Sequence, residues 1–76
     1  MKAYVLIDVR PGEIKNVVNM LRRLEGVQEA YMTFGPYDIV ATLEARDINH
    51  LGSLLSNDIQ PIPGIAETLT CLAVES

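Results

Sequence analysis

Gly35, Pro36, Tyr37 and Asp38 form the run of residues best suited to chemistry in this chain. The Gly35-Pro36 pair marks a turn, and a carboxylate follows three residues after the glycine. Such a run can hold both ends of a dipolar solute. The Asp38 carboxylate can pair with an ammonium, and backbone N–H groups exposed around the glycine can take an anion. The same residues also read without a ligand, as a tight turn capped by the Asp38 side chain with Tyr37 packed beside it. Thr68 and Thr70 share one strand parity. They are β-branched strand formers, or hydroxyls able to bond a bound solute.

The remaining reactive side chains carry less. Glu29 and Glu67 occupy equivalent positions in two similar halves of the chain, so duplication explains them more simply than paired acid–base chemistry. His50 is the sole histidine and has no second histidine, cysteine or carboxylate cluster at metal-ligand spacing. Cys71, the sole cysteine, lies in an apolar run and reads as a small core hydrophobe. No nucleophile–base pair, phosphate loop or cofactor motif is visible. Neither a cofactor, a metal nor a catalytic residue is expected.

Seventy-six residues suit one small domain with a limited core. Nearly half of them, 49 %, are hydrophobic, yet there is one Phe and no Trp. So much aliphatic surface on so short a chain points to oligomerisation, because a subunit interface can complete the core. A net charge of −4 argues against binding a phosphate backbone. With no signal peptide or membrane-length apolar run, a soluble cytoplasmic protein is expected.

The elements that must position these groups follow from periodicity. Ala3 to Val9 is β-favouring, and Arg10-Pro11-Gly12 ends it. Ile14, Val17, Val18, Leu21 and Leu24 form a helical stripe that Gly26 terminates. Strands are predicted at 30–34, 39–44 and 68–74. Asp47 is a plausible cap for a second helix whose stripe is Ile48, Leu51, Leu54, Leu55 and Ile59. The segment from Leu24 to Phe34 repeats in pattern at Ile62 to Leu72, an offset of 38 residues. Two βαβ halves give a ferredoxin-like β-α-β-β-α-β fold: α+β, a four-stranded antiparallel sheet with both helices on one face. The first and last strands are apolar on both parities, which predicts that a second sheet covers the other face, as in a dimeric α+β barrel.

Five stretches in order then carry a family resemblance. They are Ala3 to Ile7 followed by Pro11-Gly12, Gly26 to Ala30, Gly35 to Val40, Ile59 to Ile65, and Thr68-Leu69-Thr70. Together they resemble the effector-binding domain of the Lrp/AsnC (leucine-responsive, feast/famine) transcription regulators, also called the RAM domain. The resemblance covers essentially the whole chain. It implies a single effector-binding domain over residues 1–76, without the helix-turn-helix DNA-binding domain of full-length members. It implies sheet-to-sheet homodimers that assemble into octamers or decamers, and an amino acid or related small metabolite as effector. Gly35, Pro36, Tyr37 and Asp38, with Thr68 and Thr70 nearby, are the effector-binding residues it implies. Co-assembly with full-length Lrp/AsnC regulators is a further expectation. The family often has Thr-Gly where this chain has Phe34-Gly35, so Phe34 is expected to narrow the pocket.

A non-enzymatic sensing module in transcription or metabolic regulation is therefore the leading reading. One rival is a small dimeric α+β barrel enzyme, which should place a residue such as His inside its pocket. The other is an ACT-like amino-acid sensor, which would bind ligand near Pro11-Gly12.

Overall fold

Alternation along the first strand sets the architecture. In β1 (Lys2–Val9), Ala3, Val5 and Ile7 are wholly buried while Lys2 and Tyr4 stay exposed. In the computed structural model, which describes residues 1–74, β1 is followed by α1 (Ile14–Arg22), β2 (Val27–Met32), β3 (Ile39–Glu44), α2 (Ile48–Ser53) and β4 (Ile65–Leu72). The strands form one antiparallel sheet in the order β2-β3-β1-β4. This is the ferredoxin-like α+β arrangement. Val17, Val18 and Leu21 of α1 join Leu51, Leu54 and Ile59 in the same core as Val5, Ile7, Ile39 and Leu43.

Local chemistry ends each element where it must. Gly12, at φ +85°, turns the chain into α1. The Arg22 guanidinium closes α1 by donating twice to the Ala30 carbonyl, at 3.1 and 2.8 Å, and so pins β2 to the helix. Asp47 caps α2, its Oδ1 accepting from the His50 N–H at 2.8 Å. Beyond α2 the chain widens into a π-helical segment (Leu54–Ile59). The five-residue step between buried Leu54 and Ile59 suits that wider turn, in which hydrogen bonds span i to i+5.

Several boundaries differ from the sequence expectation. β2 and β4 begin three residues early, because Gly26 and Gly64 pass almost directly into strand. Phe34 lies outside β2 and is fully exposed in the following loop. Cys71 is exposed rather than a core residue, since it sits on the edge strand β4, facing away from the helices. That outer sheet face carries Tyr4, Leu6, Val40, Leu69, Cys71 and Tyr31, and none of the described residues forms a second layer over them. Tyr4, Leu69 and Tyr31 are 40 %, 48 % and 51 % exposed. Among the described residues, no helix is long and apolar enough to cross a membrane.

Candidate functional site

The loop between β2 and β3 is anchored chiefly through its last residue. Asp38 donates its backbone N–H to the Ile7 carbonyl at 3.0 Å, and its carbonyl accepts from the Thr33 N–H at 3.0 Å. Its carboxylate Oδ2 accepts from the Val9 N–H at 2.9 Å. The capping role foreseen for Asp38 is thus real but directed elsewhere: it closes the end of β1, not the Gly35-Pro36 turn. Thr33 serves the turn instead, its hydroxyl donating to the Tyr37 carbonyl at 2.7 Å.

Two hollows flank this anchor. One, of about 300 Å³, is lined by Val9, Arg10, Pro11, Gly12, Ile14 and Asp38. The other, of about 290 Å³, lies on the open sheet side, where Leu6 and Val40 meet Thr33 to Tyr37. The loop residues named from sequence are therefore divided. Asp38 looks into the first hollow, and Gly35, Pro36 and Tyr37 border the second.

The first hollow merges two readings that the sequence kept apart. Pro11-Gly12, the site of the ACT-like alternative, and Asp38 line the same space. A side chain at Gly12 would meet no atom within 4 Å, so the mouth there is open. Arg10 is the contributor that sequence reasoning missed. Its backbone N–H donates to the Gly64 carbonyl at 2.7 Å, which fixes the start of the β1–α1 turn. No salt bridge within 4 Å joins Arg10 to Asp38 among the described residues, so one wall offers a cation and the other an anion. Only the β1–β3 register, which puts Ile7 opposite Ile39, could have revealed this meeting.

Thr68 and Thr70 stand elsewhere. They pair with Ile7 and Val5, on the helix side of β4, and line neither hollow. With β1 between β3 and β4, Thr68 is two strand spacings, roughly 10 Å, from Ile39. His50 is half-buried, and its Nδ1 accepts from the Arg46 N–H at 3.0 Å. It borders a polar surface hollow with Glu25, Glu44 and Asp58, away from the Asp38 loop. Among the described residues, no cluster of three or more His, Cys, Asp or Glu could hold a metal ion.

The family profile described as the Lrp/AsnC ligand binding domain matches residues 2–76. The chain belongs to the Lrp/AsnC family. It is 33 % identical over 76 residues to the HTH-type transcriptional regulator FL11 of Pyrococcus abyssi, covering all of this chain and 50 % of that one. The chain thus spans about half the length of the curated relatives it matches first. Among solved structures, the Thermus thermophilus protein TTHA0845 superposes with a TM-score of 0.94 at 31 % identity, over 99 % of this chain and 94 % of that one. A transcriptional regulator of Neisseria meningitidis, solved as a complex with L-Met, shares the fold at a TM-score of 0.88 and 12 % identity, over 97 % of this chain and 49 % of that one.

Proposed function

We propose that these 76 residues act as a single amino-acid-sensing and assembly module of an Lrp/AsnC system, in the cytoplasm and without contacting DNA themselves. The observation that carries the reading is the hollow shared by Arg10 and Asp38. A free amino acid presents an ammonium and a carboxylate a few ångströms apart. Asp38 spends Oδ2 on the Val9 N–H and keeps Oδ1 for the ammonium, while the Arg10 guanidinium takes the carboxylate. The L-Met complex of the Neisseria regulator supports the idea that this fold can hold such a ligand. A net charge of −4 supports a role other than DNA contact. That TTHA0845 is matched over 94 % of its length supports the use of this fold as a chain of its own.

Two copies pack through their open sheet faces, and dimers join into octamers or decamers. In that assembly Gly35, Pro36, Tyr37, Thr68 and Thr70 complete the effector cleft from neighbouring subunits. The same interfaces allow co-assembly with full-length Lrp/AsnC regulators.

A thermal-shift screen against the common amino acids tests the ligand. A binder at about 100 times its dissociation constant adds roughly 2.7 kcal/mol, on the order of 10–20 °C for a domain this size. Asp38→Asn retains an oxygen for the Val9 N–H but loses the charge. It should melt near the wild-type temperature and lose the ligand shift. An amino-acid shift that survives both Asp38→Asn and Arg10→Ala would refute the site, and no shift from any amino acid would refute the effector class.

A further inference from the structure

Ile14 belongs to two hollows at once. It is the first residue of α1, half-buried, and it packs against the core. With Arg10 and Asp38 it walls the hollow that carries the paired charges. With Met32, Thr33 and Phe34 it walls a third hollow, of about 250 Å³. The β2–β3 register explains why that space exists. Met32 ends β2 directly opposite Ile39, whose side chain is wholly buried beneath the helices. Residues set opposite each other share a sheet face, so Met32 also lies on the helix side. Yet β2 is an edge strand and α1 starts only at Ile14, which leaves Met32 53 % exposed. Phe34, just beyond it, is fully exposed. Among the described residues, no charged side chain lines this third hollow. Its one polar side chain is Thr33, whose donors are both committed: the hydroxyl to the Tyr37 carbonyl at 2.7 Å and the N–H to the Asp38 carbonyl at 3.0 Å. A charged hollow and an apolar one are therefore neighbours across Ile14, and the Thr33–Asp38 bond ties their walls together.

We propose that the effector's side chain passes Ile14 from the Arg10–Asp38 hollow into the Met32–Phe34 hollow, so that the site selects amino acids with long, uncharged, apolar side chains. The inference rests on the amino-acid reading above and adds the ligand class. Every free amino acid presents the same ammonium and carboxylate, so Arg10 and Asp38 do not discriminate between them. Discrimination comes from what the side chain meets. Here it meets an aliphatic chain, a thioether and a phenyl ring, and an apolar ligand gains by covering all three. A lysine, glutamate or glutamine side chain in the same place would lose water and find neither a charge nor a free donor to replace it. Glycine or alanine would hold the charged hollow and leave the apolar one unfilled. An apolar cleft with a few converging polar groups at one end is the common build of a small-molecule site.

Isothermal titration calorimetry with a homologous series tests the subsite: alanine, 2-aminobutyrate, norvaline and norleucine, with methionine, glutamine and lysine as comparisons of similar length. Full burial of each added methylene tightens binding about fourfold; this hollow is open at Phe34, so norleucine should exceed alanine by roughly tenfold, short of the full amount. Methionine should track norleucine, while glutamine and lysine should bind no better than alanine. Met32 and Phe34 are both exposed, so truncating either leaves the core intact. In Phe34→Ala, and separately in Met32→Ala, the ratio of norleucine to alanine affinity should fall by about threefold or more. Affinity that ignores chain length, lysine or glutamine matching norleucine, or a ratio unmoved in both variants would each overturn the subsite and leave the charged hollow standing. A flat series with an assembly that weakens in Phe34→Ala would give the third hollow to a neighbouring copy, and would overturn the subsite equally. Binding of no amino acid at all overturns both readings.

Discussion

Replacing Gly64 with alanine should destabilise the domain more than any other glycine-to-alanine change in it. Gly64 has φ +101°, and a Cβ there would lie 2.7 Å from Glu13 Cβ and 3.1 Å from both Glu13 Cγ and Val17 Cγ2. Two costs combine. A side chain held at positive φ costs roughly 1–2 kcal/mol. The overlap falls on the root of Glu13, not on a movable tip, so the start of α1 must shift, which costs about 1–3 kcal/mol more. A domain of 76 residues holds roughly 4–11 kcal/mol in all, so Gly64→Ala should remove a large part of it. Gly12→Ala is the control: φ is +85° but no atom lies within 4 Å, leaving only the backbone cost of roughly 1–2 kcal/mol. Gly26 occupies the position equivalent to Gly64 in the sequence repeat. A Cβ there would meet only the side chain of Leu54, with its Cδ atoms at 2.7 and 2.8 Å, and a leucine tip can rotate away. Urea unfolding followed by far-UV circular dichroism ranks the three by midpoint, provided the slope is unchanged. Equal losses at Gly64 and Gly12 would refute the clash argument. A larger loss at Gly26 would refute the distinction between root and tip.

Two further outcomes follow from single side chains. The Thr42 hydroxyl is buried and has no hydrogen-bond partner among the described residues, so Thr42→Val should raise the melting temperature by removing a desolvated polar atom, worth about 1–3 kcal/mol; a lower melting temperature would show that the hydroxyl is satisfied. The Tyr31 phenol donates to Glu29 Oε2 at 2.7 Å, and that bond, followed by the negative charge of Glu29, raises its pKa above the ordinary 10.0. Because the folded state favours the protonated phenol, this small contribution is fully present below about pH 10 and is lost as pH rises through the raised value. Phenolate absorbance should show Tyr31 ionising at lower pH in Glu29→Ala, with Tyr31→Phe identifying the signal, and an unmoved titration would refute the coupling.

The fold was legible in the sequence because its cues are local. Glycine and proline breaks, the Asp47 cap and the two helical stripes give the element order without any long-range information. The misplaced features are those that local pattern cannot carry. Gly26 and Gly64 enter strand within a residue, so the following residues, which look like linker, are already paired. Cys71 has core-like neighbours in sequence, but an edge strand leaves it exposed in one chain. At the site, Asp38 and its turn were visible as residue types. The Val9 N–H that Asp38 caps lies 29 positions away, and Arg10 joins the hollow only through the pairing of β1 with β3.

The opposite end of β1 has a consequence for any polypeptide joined ahead of Met1. There the Met1 carbonyl accepts from the Ala45 N–H at 2.8 Å, and the α-ammonium reaches Glu44. A preceding peptide bond would remove that ammonium and leave Glu44 without its partner. The added segment would emerge a full strand length, roughly 27 Å, from the hollow that Asp38 closes. β1 is hydrogen-bonded on both sides along this distance, to β3 and to β4. The strand therefore acts as a stiff rod between the hollow and the attachment point. A fluorophore or tether placed ahead of Met1 would leave the hollow unobstructed, yet sit on the strand whose far end Asp38 holds.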